Sequence, residues 1–373
     1  MLFGIKQFQQ GWGGAPESLR LLAKHLQEID IACDVFDGRG LHRDVGKLDL
    51  LPEPGAPVSS FDFGDVAAYH SYWQAGPWQH PYRTWRIVRA MAPGQLFFYM
   101  PRGGLADIEF RRFRDLKKFP YYSLIERRIL TRADRIVFSS EYERQSSYRA
   151  RSVRAASIVI PDFFQNADLF TLAEERALRT QSPAREGGQL TVSFLAEIRP
   201  LKGLLPLIEG FIRFVRATRL SSRVVLKVAG GLRPGSRSYL ASVQDMLRQS
   251  SDVRIELMGP LHHADRKTFY AQSDVFVVPS FSESYGLTVL EALSAGCTVI
   301  AGPNIGVLEY LPNVSGLTVM PAVNASEITR ALHETSSQAD FSLSARTKRR
   351  ESAQLGIDFI NRLALDRFGS FLR

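Results

Sequence analysis

Two glutamates, Glu283 and Glu291, lie eight residues apart in the block PSFSESYGLTVLEALSAGCTVIAG. The block predicts a strand that ends at Ser280, a short loop that contains Glu283, and a helix over about 287–295. In open α/β sheets, ligands bind beyond the carboxyl ends of the strands. The two carboxylates are therefore expected at a ligand-binding edge.

The start of this helix is a candidate anion site. Backbone amides of Gly286, Leu287 and Thr288 would point at the anion. Glu291 follows Leu287 by four residues, which is about 6 Å along the axis. This distance suits a nucleotide, with diphosphate on the helix end, ribose hydroxyls at Glu291 and a further group at Glu283. For an isolated pair, the alternative of two surface carboxylates in an ordinary strand-helix unit would be favoured.

The elements that must position these residues are short apolar strands that alternate with amphipathic helices. Strands rich in Val, Ile and Leu, separated by helices, are typical of parallel sheets covered on both faces. Strands are expected at 31–36, 66–72, 95–100, 135–140, 157–161, 190–196, 223–230, 253–259, 274–280, 297–302 and 317–321, and helices at 16–29, 205–217 and 238–250.

Strand pattern gives way to polar sequence between residues 161 and 189. We expect an α/β protein of two doubly wound, Rossmann-like domains, 1–165 and 166–351, that face each other across a cleft. An amphipathic helix over about 352–373 could pack back on the first domain.

Composition is that of a globular protein, with 373 residues, 45% apolar and 23% charged. This length suggests two domains. The two cysteines, Cys33 and Cys297, cannot form a disulfide framework, which indicates a reducing cytoplasm. The amino-terminal residues lack a secretory signal pattern, and no window approaches 18 uninterrupted apolar residues. A cytoplasmic location is expected.

Positive charge is concentrated in one segment, which we call the basic segment, residues 83–154. It holds 17 Lys or Arg against 7 Asp or Glu, whereas the whole chain has a formal charge of +9. Aromatic residues lie among these cations, which suits an anionic membrane surface, an anionic substrate or nucleic acid. A solvated basic helix face is the alternative. No helix-turn-helix, RNP or KH pattern accompanies the charge, so nucleic-acid binding is not expected.

Several classes of enzyme lack their motifs here. The sequence has no Asp-x-Asp, no CxxC and no HExxH, so no metal site is predicted. It also has neither GxxxxGK[ST] nor GxGxxG after the first strand, which argues against an ATPase or a dehydrogenase.

The 279–302 block resembles the donor site of the retaining glycosyltransferases of family four, whose motif is Glu, seven residues, Glu. Further matches occur in the family's order along nearly all the chain: GGAPESLRLLAKHL, AYHSYW, FYMPRGGL, LIERRILTRADRIVFSSEYE, VIPDFFQNADLF, RPLKGLLPLIEGF, ELMGPL and GVLEYL. The resemblance implies the GT-B fold and a metal-independent, retaining transferase without a cofactor. Its substrates would be a nucleotide diphosphate sugar, such as a UDP- or GDP-sugar, and a saccharide acceptor.

The resemblance also implies roles for single residues that bind the donor. Lys202 matches the lysine that contacts the donor diphosphate, and Glu283 would serve the transferred sugar. The usual arginine of the family is replaced by Glu197, so that Arg199 is the candidate for the second cation. The donor-binding residues implied are Glu291, Ser284, Tyr285, Gly286, Leu287, Thr288, Gly13 and Gly14.

In the acceptor domain, Arg102 stands where many relatives have a histidine. Because arginine is not a base at neutral pH, Arg102 is expected to bind phosphate. His70 matches a frequent histidine at a strand end, with a structural role as the alternative, and Glu309 matches a common acidic position. This domain is most similar to transferases of bacterial surface polysaccharides and exopolysaccharides.

That similarity favours a lipid-linked acceptor, such as a polyprenyl-diphosphate saccharide, and contact of the basic segment with the membrane. Two alternatives stay open: a nucleotide-sugar epimerase or hydrolase of the same fold, and a non-catalytic binding subunit that resembles a glycosyltransferase.

Overall fold

The protein divides into two compact units, the first formed by Met1–Phe164 with Phe359–Arg373 and the second by Gln165–Asp358. The structure is a computed structural model. It describes residues 2–4, 14–28, 33–36, 41–42, 47, 66–70, 96–106, 127–147, 156–164, 189–218, 223–233, 235–261 and 263–372.

The first unit contains a seven-stranded sheet in the order β3-β2-β1-β4-β5-β6-β7. Its strands are β1 (Leu2–Gly4), β2 (Asp34–Phe36), β3 (Leu41–His42), β4 (Val66–His70), β5 (Leu96–Met100), β6 (Arg135–Phe138) and β7 (Ala156–Val159). All neighbours are parallel except β2 and β3. The five strands expected in the first half of the chain are present.

Three helices of the first unit lie within the described ranges, together with the end of the terminal helix. They are α1 (Gly14–Gln27), α2 (Arg127–Leu130) and α3 (Glu141–Ser146). The hydrophobic core joins α1 to the sheet through buried residues such as Leu22, Leu26, Phe98 and Val137. This core positions the carboxyl ends of β5, β6 and β7.

The second unit contains a six-stranded, entirely parallel sheet in the order β10-β9-β8-β11-β12-β13. Its strands are β8 (Leu190–Leu195), β9 (Val224–Ala229), β10 (Ile255–Gly259), β11 (Val275–Val278), β12 (Thr298–Ala301) and β13 (Leu317–Val319). Every residue of β11 and β12 is buried, as expected for central strands covered on both faces.

Among the described residues, five helices lie wholly in the second unit. They are α4 (Leu204–Thr218), α5 (Arg237–Arg248), α6 (His263–Ala271), α7 (Leu287–Ser294) and α8 (Ala325–Gln338). In α4, Leu204, Leu207, Ile208, Phe211 and Val215 recur at three- and four-residue intervals and are all buried. This spacing makes one apolar stripe that packs on the sheet. The sequence reading did not include α6 or α8.

The terminal helix α9 (Leu343–Leu372) begins earlier than the expected start near residue 352. Its first part contains Arg346 and Arg349, which are buried and donate hydrogen bonds to backbone carbonyls of the second unit. Because these carbonyls accept from the two guanidinium groups, this part of α9 can be buried although its sequence has no regular apolar face. Further along, Ala364 and Phe368 join the core of the first unit. No helix within the described residues has an 18-residue stretch apolar enough to cross a bilayer.

Strand order reverses once in each sheet. In the second sheet the chain runs from β8 outward to β10 and then returns to place β11 on the other side of β8. The loops after β8 and β11 therefore leave neighbouring strands in opposite directions, which opens a crevice at this edge. The corresponding reversal in the first sheet lies between β1 and β4.

Candidate active site

The loop after β8 ends in a short 3-10 turn, Pro200–Lys202. Gly203 ends this turn at φ 70°, in the left-handed region that favours glycine. A Cβ atom at Gly203 would lie 1.9 Å from the carbonyl oxygen of Pro279. The backbone N–H of Phe281 also donates to the carbonyl of Leu201 at 2.9 Å. The loops after β8 and β11 are therefore in direct contact.

This contact brings Lys202 and Glu283 together. The ammonium of Lys202 forms an ion pair with the Glu283 carboxylate. Their side chains are 17% and 23% exposed, so both charges are accessible to a ligand. Two residues separated by 81 positions in the sequence thus form one polar centre at the point where the strand order reverses.

A second segment holds the Glu283 loop from the other side. The N–H of Glu283 donates to the carbonyl of Asn304 at 2.9 Å, and the N–H of Gly306 donates to the carbonyl of Glu283 at 3.1 Å. Gly286 lies at φ 103°, and a Cβ atom there would be 2.4 Å from the Ile305 side chain. Only glycine fits this position, and the close contact with Ile305 fixes the backbone conformation of the loop between Glu283 and α7.

Helix α7 begins directly after this turn with Gly286 as its N-cap, and no side chain among the described residues caps it. The N–H of Val289 donates to the carbonyl of Gly286 at 3.0 Å, whereas helical geometry gives Leu287 and Thr288 no such acceptor. Both residues are partly exposed. Two amides at the positive end of the helix dipole are therefore directed beyond its start, as an anion site requires.

Glu291 lies one turn further along α7, and its side chain is 16% exposed. Arg266 donates from Nη2 to both carboxylate oxygens, at 2.8 Å to Oε1 and 2.6 Å to Oε2. The hydroxyl of Tyr270 donates to Oε2 at 2.5 Å. Burial, followed by the charge of Glu291, raises the pKa of Tyr270 well above 10.0, and the same carboxylate raises the pKa of Arg266.

Arg266 and Tyr270 are the residues of this site that the sequence reading missed. Both lie on α6, four residues apart, and therefore share one face of the helix. The four-residue spacing of these two residues in RKTFY could have indicated a shared polar partner, although it does not identify Glu291 as that partner.

The other expected donor residues occupy different settings. Ser284 and Arg199 are partly exposed, whereas the ring of Tyr285 is buried with its centroid 6.4 Å from that of Tyr310. Glu197, at the usual arginine position, accepts a hydrogen bond from Nη1 of Arg233 at 3.0 Å. Glu309 is exposed on the 3-10 turn Gly306–Tyr310. Because its ring is buried, the side chain of Tyr285 is not open to solvent.

The expected acceptor residues lie in the first unit. Arg102 follows β5 in a turn where its φ is 49° and that of Gly103 is 76°, both in the left-handed region. Its guanidinium forms an ion pair with Asp162, and the two side chains are 10% and 7% exposed. The sequence reading did not anticipate this internal partner, and phosphate binding by Arg102 stays a prediction.

Next to this pair, the fully buried Glu143 accepts hydrogen bonds from the N–H of Gly103 and from the N–H and hydroxyl of Ser139, the last two at 2.7 Å. Ser140 caps α3 by accepting from the N–H of Glu143 at 2.9 Å. These bonds tie the ends of β5 and β6 together.

Three of the expected site residues are described by the structure only in part or not at all. His70 is the last residue of β4 and Gly14 the first of α1, and only their backbone is described. Gly13 and most of the basic segment lie outside the described residues.

Solved structures that resemble this chain over its whole length show the class of fold. Sucrose-phosphate synthase from Thermosynechococcus elongatus superposes with a TM-score of 0.72 at 16% identity, covering 100% of this chain and 98% of that one. Anabaena HepE in complex with UDP-glucose superposes with a TM-score of 0.67 at 14% identity, covering 99% of each. The expected GT-B fold, with two Rossmann-like units, is thereby confirmed.

Sequence comparison finds a similarity for part of the second unit. Residues 189–338 match the model of the family described as Glycosyl transferases group 1. The D-inositol 3-phosphate glycosyltransferase of Mycobacterium tuberculosis (strain ATCC 25618 / H37Rv) is 28% identical over 261 residues, which cover 69% of this chain and 49% of the relative. The chain thus matches about half the length of this relative.

Proposed function

We propose that this chain is a retaining hexosyltransferase of family four. It would transfer a hexose from a nucleotide diphosphate sugar to a saccharide or lipid-linked acceptor in the synthesis of bacterial surface polysaccharide or lipopolysaccharide. The observation that carries the proposal is the meeting of Lys202 and Glu283 beside the start of α7, one turn from Glu291.

In this proposal the diphosphate of the donor binds at the start of α7. The amides of Leu287 and Thr288 would donate to its oxygens, and the ammonium of Lys202 would lie beside them. Negative charge grows on the diphosphate as the bond to the sugar breaks, and fixed donors aimed at that charge stabilise the transition state. Arg199, in the same loop as Lys202, would supply a second cation.

The two glutamates would bind the two ends of the donor. Glu291 would accept hydrogen bonds from the ribose hydroxyls, and Glu283 from hydroxyls of the transferred hexose. An ionised carboxylate has about four acceptor positions, which allows each glutamate to keep its protein partner and still accept from a ligand. Ser284 and the backbone of Tyr285 would contribute to the same binding surface.

The chemical step follows from these positions. We propose front-face displacement, in which the bond from the anomeric carbon to the diphosphate breaks while the acceptor oxygen bonds to the same face. The departing diphosphate takes the proton of the acceptor hydroxyl. No metal ion or cofactor enters this step.

The nature of the substrates is supported by the structural neighbours. Anabaena HepE has been solved with UDP and with UDP-glucose, which supports a UDP-sugar ahead of a GDP-sugar. WaaG, a glycosyltransferase involved in lipopolysaccharide biosynthesis, superposes with a TM-score of 0.66 at 14% identity. It supports an acceptor of that class.

The acceptor would be bound by the first unit, with His70 and Arg102 as candidate contacts, whereas Gly13 and Gly14 would approach the donor. A polyprenyl-diphosphate acceptor would place the basic segment against the inner leaflet of the plasma membrane, in a cytoplasmic, peripheral location. Co-sedimentation with vesicles should then increase with anionic lipid and decrease with salt. Binding that responds to neither would contradict this placement.

The donor can be tested without knowledge of the acceptor. Thermal unfolding is measured with UDP-, GDP- and ADP-sugars, because a ligand that binds only the folded state raises the unfolding temperature. With the sugar that stabilises the wild type, Glu291→Ala should abolish the shift or raise the donor KM. Arg330→Met, which removes an exposed arginine that forms ion pairs with Glu327 and Glu334 of its own helix, is the control.

Transfer is then followed with labelled donor sugar and lipid-linked saccharides. Lys202→Met should lose transfer about 100-fold or more, as expected for removal of a charge-stabilising group. Consumption of donor without any acceptor would favour an epimerase or hydrolase. Absence of binding by every nucleotide sugar would overturn the proposal.

A further inference from the structure

We propose that Arg266 and Tyr270 are positioning residues that hold the carboxylate of Glu291 in the orientation needed to recognise the ribose of the donor. This inference rests on the proposed function and adds the residues that prepare the nucleotide site before the ligand arrives.

The geometry assigns each carboxylate oxygen a partner from α6. Oε2 of Glu291 accepts from Arg266 and from Tyr270, whereas Oε1 accepts one hydrogen bond, from Arg266, among the residues that the structure describes. Because each oxygen has two lone pairs, Oε1 retains acceptor capacity. The carboxylate is therefore oriented by protein donors and can still accept a hydroxyl.

The protonation of the two donors suits this role. Tyr270 is fully buried, and its raised pKa keeps the phenol protonated at neutral pH, so that it donates to Glu291. Arg266 is partly exposed and its pKa is raised by the carboxylate, so its charge is permanent. Glu291 accordingly faces two lasting donors on one side.

The backbone that carries these residues is also held. Buried Arg346 of α9 donates from Nη2 to the carbonyl of Tyr270 at 3.2 Å and to that of Ala295 at 2.6 Å. The same guanidinium therefore ties the carboxyl ends of α6 and α7. Hydrogen bonds therefore join these helices at two places, through Glu291 and through Arg346, and both sets of bonds help to position Glu291 relative to Arg266.

Preorganisation gives this arrangement a functional consequence. A glutamate side chain loses rotamer freedom when it is immobilised by a ligand, and this loss weakens binding. Arg266 and Tyr270 impose that order during folding. Removing them should therefore weaken recognition of the ribose specifically, while contacts to the diphosphate remain.

The alternative is an ion pair that only joins two helices. It predicts that loss of Arg266 changes stability and weakens all ligands equally. The two roles are separated by comparing a ribonucleoside diphosphate with its 2′-deoxy analogue, because only the hydroxyl contact differs between them.

Binding of UDP, GDP and ADP to the wild type is measured by titration calorimetry, and the tightest ligand is compared with its 2′-deoxy form. The variants are Arg266→Met, Arg266→Lys, Tyr270→Phe and Glu291→Gln. Arg216→Met is the matched control, because Arg216 makes a two-bond ion pair with Asp252 that is exposed and lies outside the site.

For the wild type we expect a preference of about tenfold for the ribose, the size of one hydrogen bond to a charged group. Glu291→Gln and Arg266→Met should lose most of this preference, Tyr270→Phe and Arg266→Lys part of it, and Arg216→Met none. Arg266→Lys also serves if Arg266→Met does not fold.

The outcomes separate the two levels of the argument. If Glu291→Gln loses the preference but Arg266→Met and Arg266→Lys keep it, or bind the ribonucleotide more tightly, the inference is wrong and the proposed function stands. If the wild type shows no ribose preference, or binds no nucleoside diphosphate, both the inference and the proposed role of Glu291 fail.

Discussion

The carboxyl edges of the two sheets carry ion pairs that differ in their access to water. At the edge of the first sheet, Arg102 and Asp162 are 10% and 7% exposed. At the edge of the second, Lys202 and Glu283 are 17% and 23% exposed. The adjacent carboxylates follow the same division, because Glu143 is fully buried and Glu291 is not.

This difference separates charges that hold the fold together from charges that can bind a ligand. A buried ion pair has already lost its water, and removing one partner leaves an uncompensated charge. An accessible pair contributes little to stability and can exchange its water for ligand oxygens. The charges at the described edge of the first unit are therefore expected to stabilise its fold, in addition to any ligand contact of Arg102, whereas those of the second unit form the candidate donor site.

The largest expected effect is that of Arg102→Met. The substitution leaves Asp162 buried without its cation, and we expect the free energy of unfolding to fall by about 3 kcal/mol. Urea denaturation measures this change. A loss no larger than that of Lys202→Met would show that the two edges do not differ as proposed.

Glu143→Gln should have the next largest effect. The amide replaces one acceptor oxygen by a donor, so that one of the N–H groups of Gly103 and Ser139 loses its acceptor in a buried place. A loss of about 2 kcal/mol in the free energy of unfolding is expected from urea denaturation. Glu141→Gln, on the exposed part of the same helix, should change it by less than about 1 kcal/mol.

Tyr270→Phe tests the second edge at high pH. Because the pKa of Tyr270 is raised in the folded state, its contribution to stability is present below about pH 10 and is lost as the pH rises through the folded pKa. Wild-type stability should fall by up to about 1.4 kcal/mol per pH unit more steeply than that of the variant above pH 10. Urea denaturation between pH 8 and pH 11 measures the two slopes, and equal slopes would contradict burial of this phenol.

Lys202→Met should change stability least, by no more than about 1 kcal/mol, because both partners remain in contact with water. The same variant is expected to lose sugar transfer. A large loss of stability would show that Lys202, like Arg102, stabilises the fold, and the two edges would then not differ as proposed.

Local sequence predicted the α/β architecture and the elements of the second edge. The conformations of the apolar strands and of the glycine turn before Leu287 are set by residues that are close in sequence. For that reason the strand that ends at Val278, the loop with Glu283 and helix α7 follow in the expected order. The short basic helix face of α6 and the start of α9 at Leu343 were missed. The residues of these helices are held by partners that are distant in sequence, and the spacing of apolar residues does not predict such partners.

The pairing of charges was decided by tertiary structure. Lys202 meets Glu283 because β8 and β11 are neighbours, although 81 positions separate the two residues in the chain. Arg102 meets Asp162 across the end of β6 for the same kind of reason. Residue type and spacing alone determined that charged groups would stand at the ends of strands. Which of them face water and which are sealed depends on strand order and packing, because burial is a property of the surroundings that the folded chain assembles.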